Sequence, residues 1–127
     1  MKAISHQEQQ WEAWRVGVAT RMLISARLGA TSLCIFEQQV APGAGAPTHC
    51  HPVEEVLTVL DGEAEVWMDG VRLKMLAGQS LIVPATRFHG FRNSGTENLH
   101  IHAILASPIF EALADGATEP TRRWLPR

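Results

Sequence analysis

From Thr31 onward the chain is a series of short runs in which apolar and polar residues alternate or β-branched residues crowd together, each run ended by turn formers. Thr31 to Val40 stops at the breaker APGAGAP, and Val56 to Leu60 stops at Asp61-Gly62. Glu63 to Met68 follows directly, and Asp69-Gly70 forms a tight turn into Val71 to Leu76. Ser80 to Val83 runs into Pro84, Phe88 to Arg92 ends at NSGTE, and Leu99 to Leu105 completes the series. Strands this short and this regularly punctuated predict an all-β sandwich or barrel. Helix is expected only at the edges: Ser107-Pro108 opens a short helical turn, IFEALADG, closed by Gly116. The N-terminal segment reads equally as a brief helix or an added strand. The expected organisation is one domain over residues 1–127, with an N-terminal extension (1–20), a barrel from about 21 to 107 and a C-terminal tail (108–127) pinned by Trp124.

Composition narrows the function classes. A chain of 127 residues can bury roughly two-thirds of its unfolded surface. Eleven basic and thirteen acidic residues leave it near neutrality, without runs of like charge, so neither nucleic acid nor a membrane surface is an expected partner. No apolar stretch approaches the roughly 20 residues of a membrane span. The opening MKAISHQEQQWEAW lacks the apolar core of a signal peptide, which makes the cytoplasm the expected location. Two cysteines, Cys34 and Cys50, are too few for a disulfide framework. Met22, Met68 and Met75 are expected to fill the core.

Five of the six histidines fall between positions 49 and 102. In an extended strand His49 and His51 project from one face while Cys50 points away, and two imidazoles on one face can bind a divalent transition metal. Two adjacent glutamates, Glu54 and Glu55, follow.

The spacing extends this pair into two motifs. Gly43 is followed after five residues by His49 and His51, then Glu55, and six residues later Gly62. Gly78 is followed after five residues by Pro84, then His89 and Asn93, in GQSLIVPATRFHGFRN. In these positions the chain resembles the cupin family. The resemblance implies a double-stranded β-helix, or jelly roll, with the metal in the mouth of the barrel. It implies His49, His51, Glu55 and His89 as ligands, and it selects Glu55 over Glu54, which becomes a solvated neighbour. One position departs from the family pattern: Thr86 stands where a turn glycine is usual, which demands either a negative φ or some strain. Three imidazoles and one carboxylate suit Fe(II), Mn(II), Ni(II), Cu(II), Co(II) or Zn(II), and leave about two octahedral positions for a substrate, water or dioxygen.

Phe91 and Asn93 share strand parity with His89 and are expected to face the same pocket. If NSGTE closes a hairpin with Gly95-Thr96 at its tip, His100 lies opposite Phe91 and His102 opposite His89, both inside the barrel. Leu99, Ile101, Ala103 and Leu105 then cover the other face. On that register His102 orients substrate, shuttles a proton or supports a metal ligand, and Glu55 takes a proton when it partly leaves the metal; a turn one residue different leaves His100 and His102 exposed or structurally hydrogen-bonded instead. Trp67, Arg21 and Arg72 read first as packing and solvated strand-edge groups, and second as ring or anion contacts.

The resemblance implies an enzyme acting on a small organic molecule, and among metal-bearing members oxygen-dependent cleavage of a chelating substrate fits this ligand set best. The competing expectations are a metal-dependent isomerase, lyase or decarboxylase, and a non-catalytic module that binds or senses a small ligand. Small single-domain members commonly form homodimers, and the segment Trp11 to Trp14 (WEAW) is a candidate cover for apolar strand edges.

Overall fold

The structure, a computed structural model describing residues 1–127, is almost entirely β. Its strands are β1 (Trp11–Arg15), β2 (Val18–Ile24), β3 (Cys34–Val40), β4 (Gly45–Cys50), β5 (Glu55–Asp61), β6 (Glu63–Met68), β7 (Val71–Leu76), β8 (Gln79–Val83), β9 (His89–Asn93), β10 (Leu99–Leu105), β11 (Phe110–Ala114) and β12 (Thr121–Arg123). They form two six-stranded antiparallel sheets, ordered β1-β2-β3-β10-β5-β8 and β12-β11-β4-β9-β6-β7. The architecture is the double-stranded β-helix expected from the motifs. No helix is long and apolar enough to cross a membrane.

Alternation places the core. Leu99, Ile101, Ala103 and Leu105 of the central β10 are fully buried, with Cys34, Phe36 and Val40 of β3 and Leu57 and Val59 of β5 beside them. Each fully buried aliphatic side chain among these contributes roughly 2 kcal/mol relative to exposure. Met22 and Met75 belong to the core, whereas Met68 is only half-buried.

Three expectations are corrected here. First, β9 and β10 are not a hairpin: β9 pairs with β4 and β6, and β10 with β3 and β5, so residues 94–98 cross between the sheets. The apolar set of β10 therefore faces inward, and His100 and His102 point to the outer face of their sheet. Second, Asp61-Gly62 also crosses between sheets, while Asp69-Gly70 does close the β6–β7 hairpin. Third, the segment after Pro108 is strand rather than helical turn. Its helix-favouring Glu-Ala-Leu-Ala is overridden because the edge of β4 offers backbone partners and Phe110 finds a core site. Both termini are thus strands of the sheets, and Trp124 does pin the tail, being 2% exposed with its indole N–H donating to Glu12.

The departure at Thr86 is accommodated by strain: its φ is +70°, in the left-handed region. The turn is held there because the Thr86 N–H donates to the carbonyl of His51 at 2.8 Å, tying it to a histidine of the first motif. A β-branched residue in that region costs about 1 kcal/mol or more. Thr86→Gly is therefore expected to stabilise the protein by about 1 kcal/mol and to raise its melting temperature by roughly 3 to 5 °C in calorimetry. An unchanged or lower melting temperature would remove the strain argument.

Candidate metal centre

His49 of β4 and His89 of β9 are register partners across the same sheet, and their ring centroids lie 4.4 Å apart. His51 follows the end of β4, with its ring 4.9 Å from that of His49 and 5.3 Å from that of His89. One ring nitrogen from each of the three lies within 4.8 Å of the others. Glu55, the first residue of β5, reaches them from the opposite sheet: its Oε1 is 3.1 Å from His89 Nε2 and its Oε2 is 3.5 Å from His51 Nε2. The structure thus brings together the four residues singled out by their spacing. It leaves Glu54 outside, half a strand period away and exposed.

Local backbone settles which nitrogen of each ring faces the centre. The Nδ1 of His49 is 2.6 Å from the Pro47 carbonyl, that of His51 2.8 Å from Glu111, and that of His89 3.0 Å from Arg87. A carbonyl only accepts, so each Nδ1 carries the proton and each neutral ring keeps its lone pair on Nε2. His51 Nε2 is buried and has no hydrogen-bond partner. An orphaned buried nitrogen beside two more imidazoles and a carboxylate is the donor set of a divalent metal site. Packing holds these strands in place: Gly90, next to His89, lies under the Trp67 ring, where a Cβ would come within 2.5 Å of a ring carbon. The Trp67 indole N–H in turn donates to Thr48 Oγ1 at 2.9 Å.

Electrostatics in the metal-free protein follow from burial and contact. Burial, reinforced by the facing His89 and His51, pushes His49 down to about 4. Burial alone would raise Glu55, but the hydrogen bond from His89 and the charges of His51 and His89 outweigh it and hold Glu55 below its ordinary value. Burial would lower His89, yet its contact with Glu55 overrides that and raises it. In the absence of metal, then, a proton on His89 neutralises Glu55.

These groups line a cavity of about 140 Å³. Its apolar walls are Trp14, Phe36, Leu57, Phe91 and Phe110, and Arg15 and Arg123 also face it. Of the residues expected in the pocket, Phe91 lines it and three do not. Asn93 is buried elsewhere, donating to the carbonyls of Val40 and Glu97 and accepting from Gly95 N–H, so it staples the crossover to β10. His100 is 2.8 Å from Glu37 on the outer face, and His102 lies on the same face. The hairpin register that would turn both inward does not form, because the chain changes sheets between β9 and β10. Arg21 pairs with Glu37 and lies over Trp11, and Arg72 pairs with Glu65 and lies over Trp67, all away from the cavity. Cys34 and Cys50 are free and buried. The WEAW segment divides: Trp14 joins Phe36, Phe110 and Trp124 in an aromatic cluster, while Trp11 is exposed. Trp14, Arg15, Phe110 and Arg123 had no motif to mark them; only the pairing of the terminal strands brings them to the site.

Metal uptake must displace the proton on His89, so affinity is expected to fall as pH drops through the raised His89 pKa. Binding below the raised His89 pKa should release up to one proton, and the release should vanish well above it. Calorimetry in buffers of different ionisation enthalpy measures this number; pH-independent uptake without proton release would contradict the His89–Glu55 assignment.

Comparison with known proteins places the chain in a family. The cupin domain family model matches residues 36–105. The polyketide synthase CurC of Streptomyces cyaneus is 36% identical over 99 residues, covering 74% of this chain and 64% of that protein. Auxin-binding protein 1 of Arabidopsis thaliana is 28% identical over 83 residues, covering 58% of this chain and 42% of that protein. The chain therefore spans about two-fifths to two-thirds of the length of these relatives. Among solved structures, the polyketide cyclase RemF of Streptomyces resistomycificus superimposes with a TM-score of 0.73 at 22% identity, over 83% of this chain and 78% of that one. The protein belongs to the cupin family.

Proposed function

We propose that this cupin is a metal-dependent enzyme acting on a small enolisable polycarbonyl compound, with His49, His51, His89 and Glu55 holding the divalent metal. The observation that carries the reading is the buried, unpartnered Nε2 of His51, with ring nitrogens of His49 and His89 within 4.8 Å of it. Bound metal would supply Lewis acidity toward a chelating dicarbonyl. Glu55 is the sole carboxylate lining the cavity, so on partly leaving the metal it would accept the proton released from the carbon acid. Phe91, Leu57 and Phe36 exclude water and favour a flat, conjugated ligand. The name of the Streptomyces relative CurC, a polyketide synthase, supports a polycarbonyl substrate. Enolisation is the first step both of ring closure and of oxygen-dependent cleavage. A second reading, ligand binding without turnover, is favoured by the name of the Arabidopsis relative, an auxin-binding protein.

The proposal extends to a homodimer in the cytoplasm. Ile24, Ile35, Ile104, Val56 and Ile82 stand side by side across five strands on the outer face of the first sheet, with Ile82 62% exposed. A second copy covering this row gains roughly 25 cal/mol per Å² of apolar surface. The free, buried thiols of Cys34 and Cys50 suit a reducing compartment.

Protein purified without chelators is expected to contain about one equivalent of a divalent transition metal and to accelerate proton–deuterium exchange at the central carbon of ethyl acetoacetate. His51→Ala should lose most of the metal and the exchange, whereas His102→Ala should keep both. Full metal content in His51→Ala would refute the ligand set. Stoichiometric binding without exchange would support the binding module, and an oxygen electrode separates cleavage from ring closure. Ile104→Asp is expected to sediment as a monomer while retaining metal; a persistent dimer would place the interface elsewhere.

A further inference from the structure

Two guanidinium groups face the cavity, and neither serves the histidine centre. Arg15 ends β1 just after a bulge, and Arg123 ends β12, so both come from terminal strands outside the stretch matched by the family model. Arg123 lies over the Trp14 ring at 4.1 Å, which fixes its plane at the wall of the cavity. Its Nε is buried without a hydrogen-bond partner, and its terminal nitrogen is 3.9 Å from Glu12, beyond hydrogen-bonding reach. Arg15 gives one bond, to the Gly45 carbonyl at 3.2 Å. Partial burial, and then the charge of Arg123, push Arg15 below its ordinary pKa although much of its side chain stays exposed. The one carboxylate in the lining, Glu55, is already hydrogen-bonded to His89. Two cations held together with unused donors are stabilised by an anion placed between them.

We propose that Arg15 and Arg123 form an anion clamp, so that the ligand of this cavity is a flat, conjugated organic acid whose carboxylate the two guanidiniums bind. Trp14, Phe36, Phe91 and Phe110 supply the apolar walls for the ring system. The inference rests on the cavity being the substrate site, but it concerns charge recognition and not the metal. A neutral polycarbonyl of the same shape is then a poorer ligand than its carboxylated counterpart. Arg15 and Arg123 act as specificity-determining groups.

The test uses benzoate and benzamide, isosteric but differing in charge, titrated by calorimetry into chelator-stripped full-length protein. Stripping removes the option of carboxylate binding to metal. The Trp14 indole N–H resonance reports whether the probe enters the cavity. Wild type is expected to prefer benzoate by roughly tenfold or more and to shift the Trp14 signal. Arg123→Gln and Arg15→Gln should each reduce that preference, and the double variant should bring it near parity. Arg123→Lys should keep part of it. Arg15 is exposed, so its variant keeps the comparison meaningful even if Arg123→Gln disturbs β12. Equal affinity for the two probes, an unchanged preference in the folded Arg15→Gln protein, or no binding of either probe would overturn the clamp. Metal content of the same variants, measured separately, should equal that of wild type. Loss of the clamp with intact metal uptake, or the reverse, distinguishes its failure from failure of the enzymatic reading.

Discussion

Glu55 sits ionised and buried between the two sheets, beside imidazoles whose Nδ1 protons are already given to backbone carbonyls. In the neutral rings every nitrogen facing that carboxylate is a lone pair, so the site carries acceptors and no donor. Such a cluster is tolerable in a low-dielectric interior only with positive charge at its centre, from a proton on His89 or from a metal ion. The surrounding architecture serves that requirement. One sheet supplies His49 and His89 as a cross-strand pair, the other supplies Glu55, and the strained turn at Thr86 fastens the loop after β8 to the backbone of His51.

The C-terminal strand takes part as directly as the motifs do. The carbonyl that orients His51 belongs to Glu111 of β11, on a segment with no recognisable motif. Phe110 of the same strand packs against the His51 ring at 5.6 Å and against Trp14 at 4.9 Å. An aromatic cluster of Trp14, Phe36, Phe110 and Trp124 thus joins both chain ends to the core and to the site. The middle of the chain provides the chemistry of the centre. Strands outside it provide the walls and the charge that a ligand meets.

The outward polar groups of the first sheet find partners within it: Arg21 and His100 both pair with Glu37. The neighbouring aliphatic row has no such partners within the chain. This contrast on a single sheet face separates a solvated row from one suited to contact with another molecule.

Much of this was legible in the order of residues. Runs of alternating or β-branched residues marked seven of the strands, and the resemblance carried by the two motifs implied His49, His51, Glu55 and His89, four side chains that meet in space. Interval patterns carry such information because a strand's facing is local geometry, and the marker residues Gly62 and Pro84 sit at its corners. The destination of a strand is not local. Whether β10 returns beside β9 or crosses to the other sheet depends on which edge buries more apolar surface, and that choice turned His100 and His102 outward. The same competition made IFEALA a strand against its own propensity, because β4 had an open edge. Arg15 and Arg123 lie over a hundred residues apart and meet only because their strands dock at one end of the sandwich. No spacing rule encodes that meeting; long-range pairing and core packing decide it.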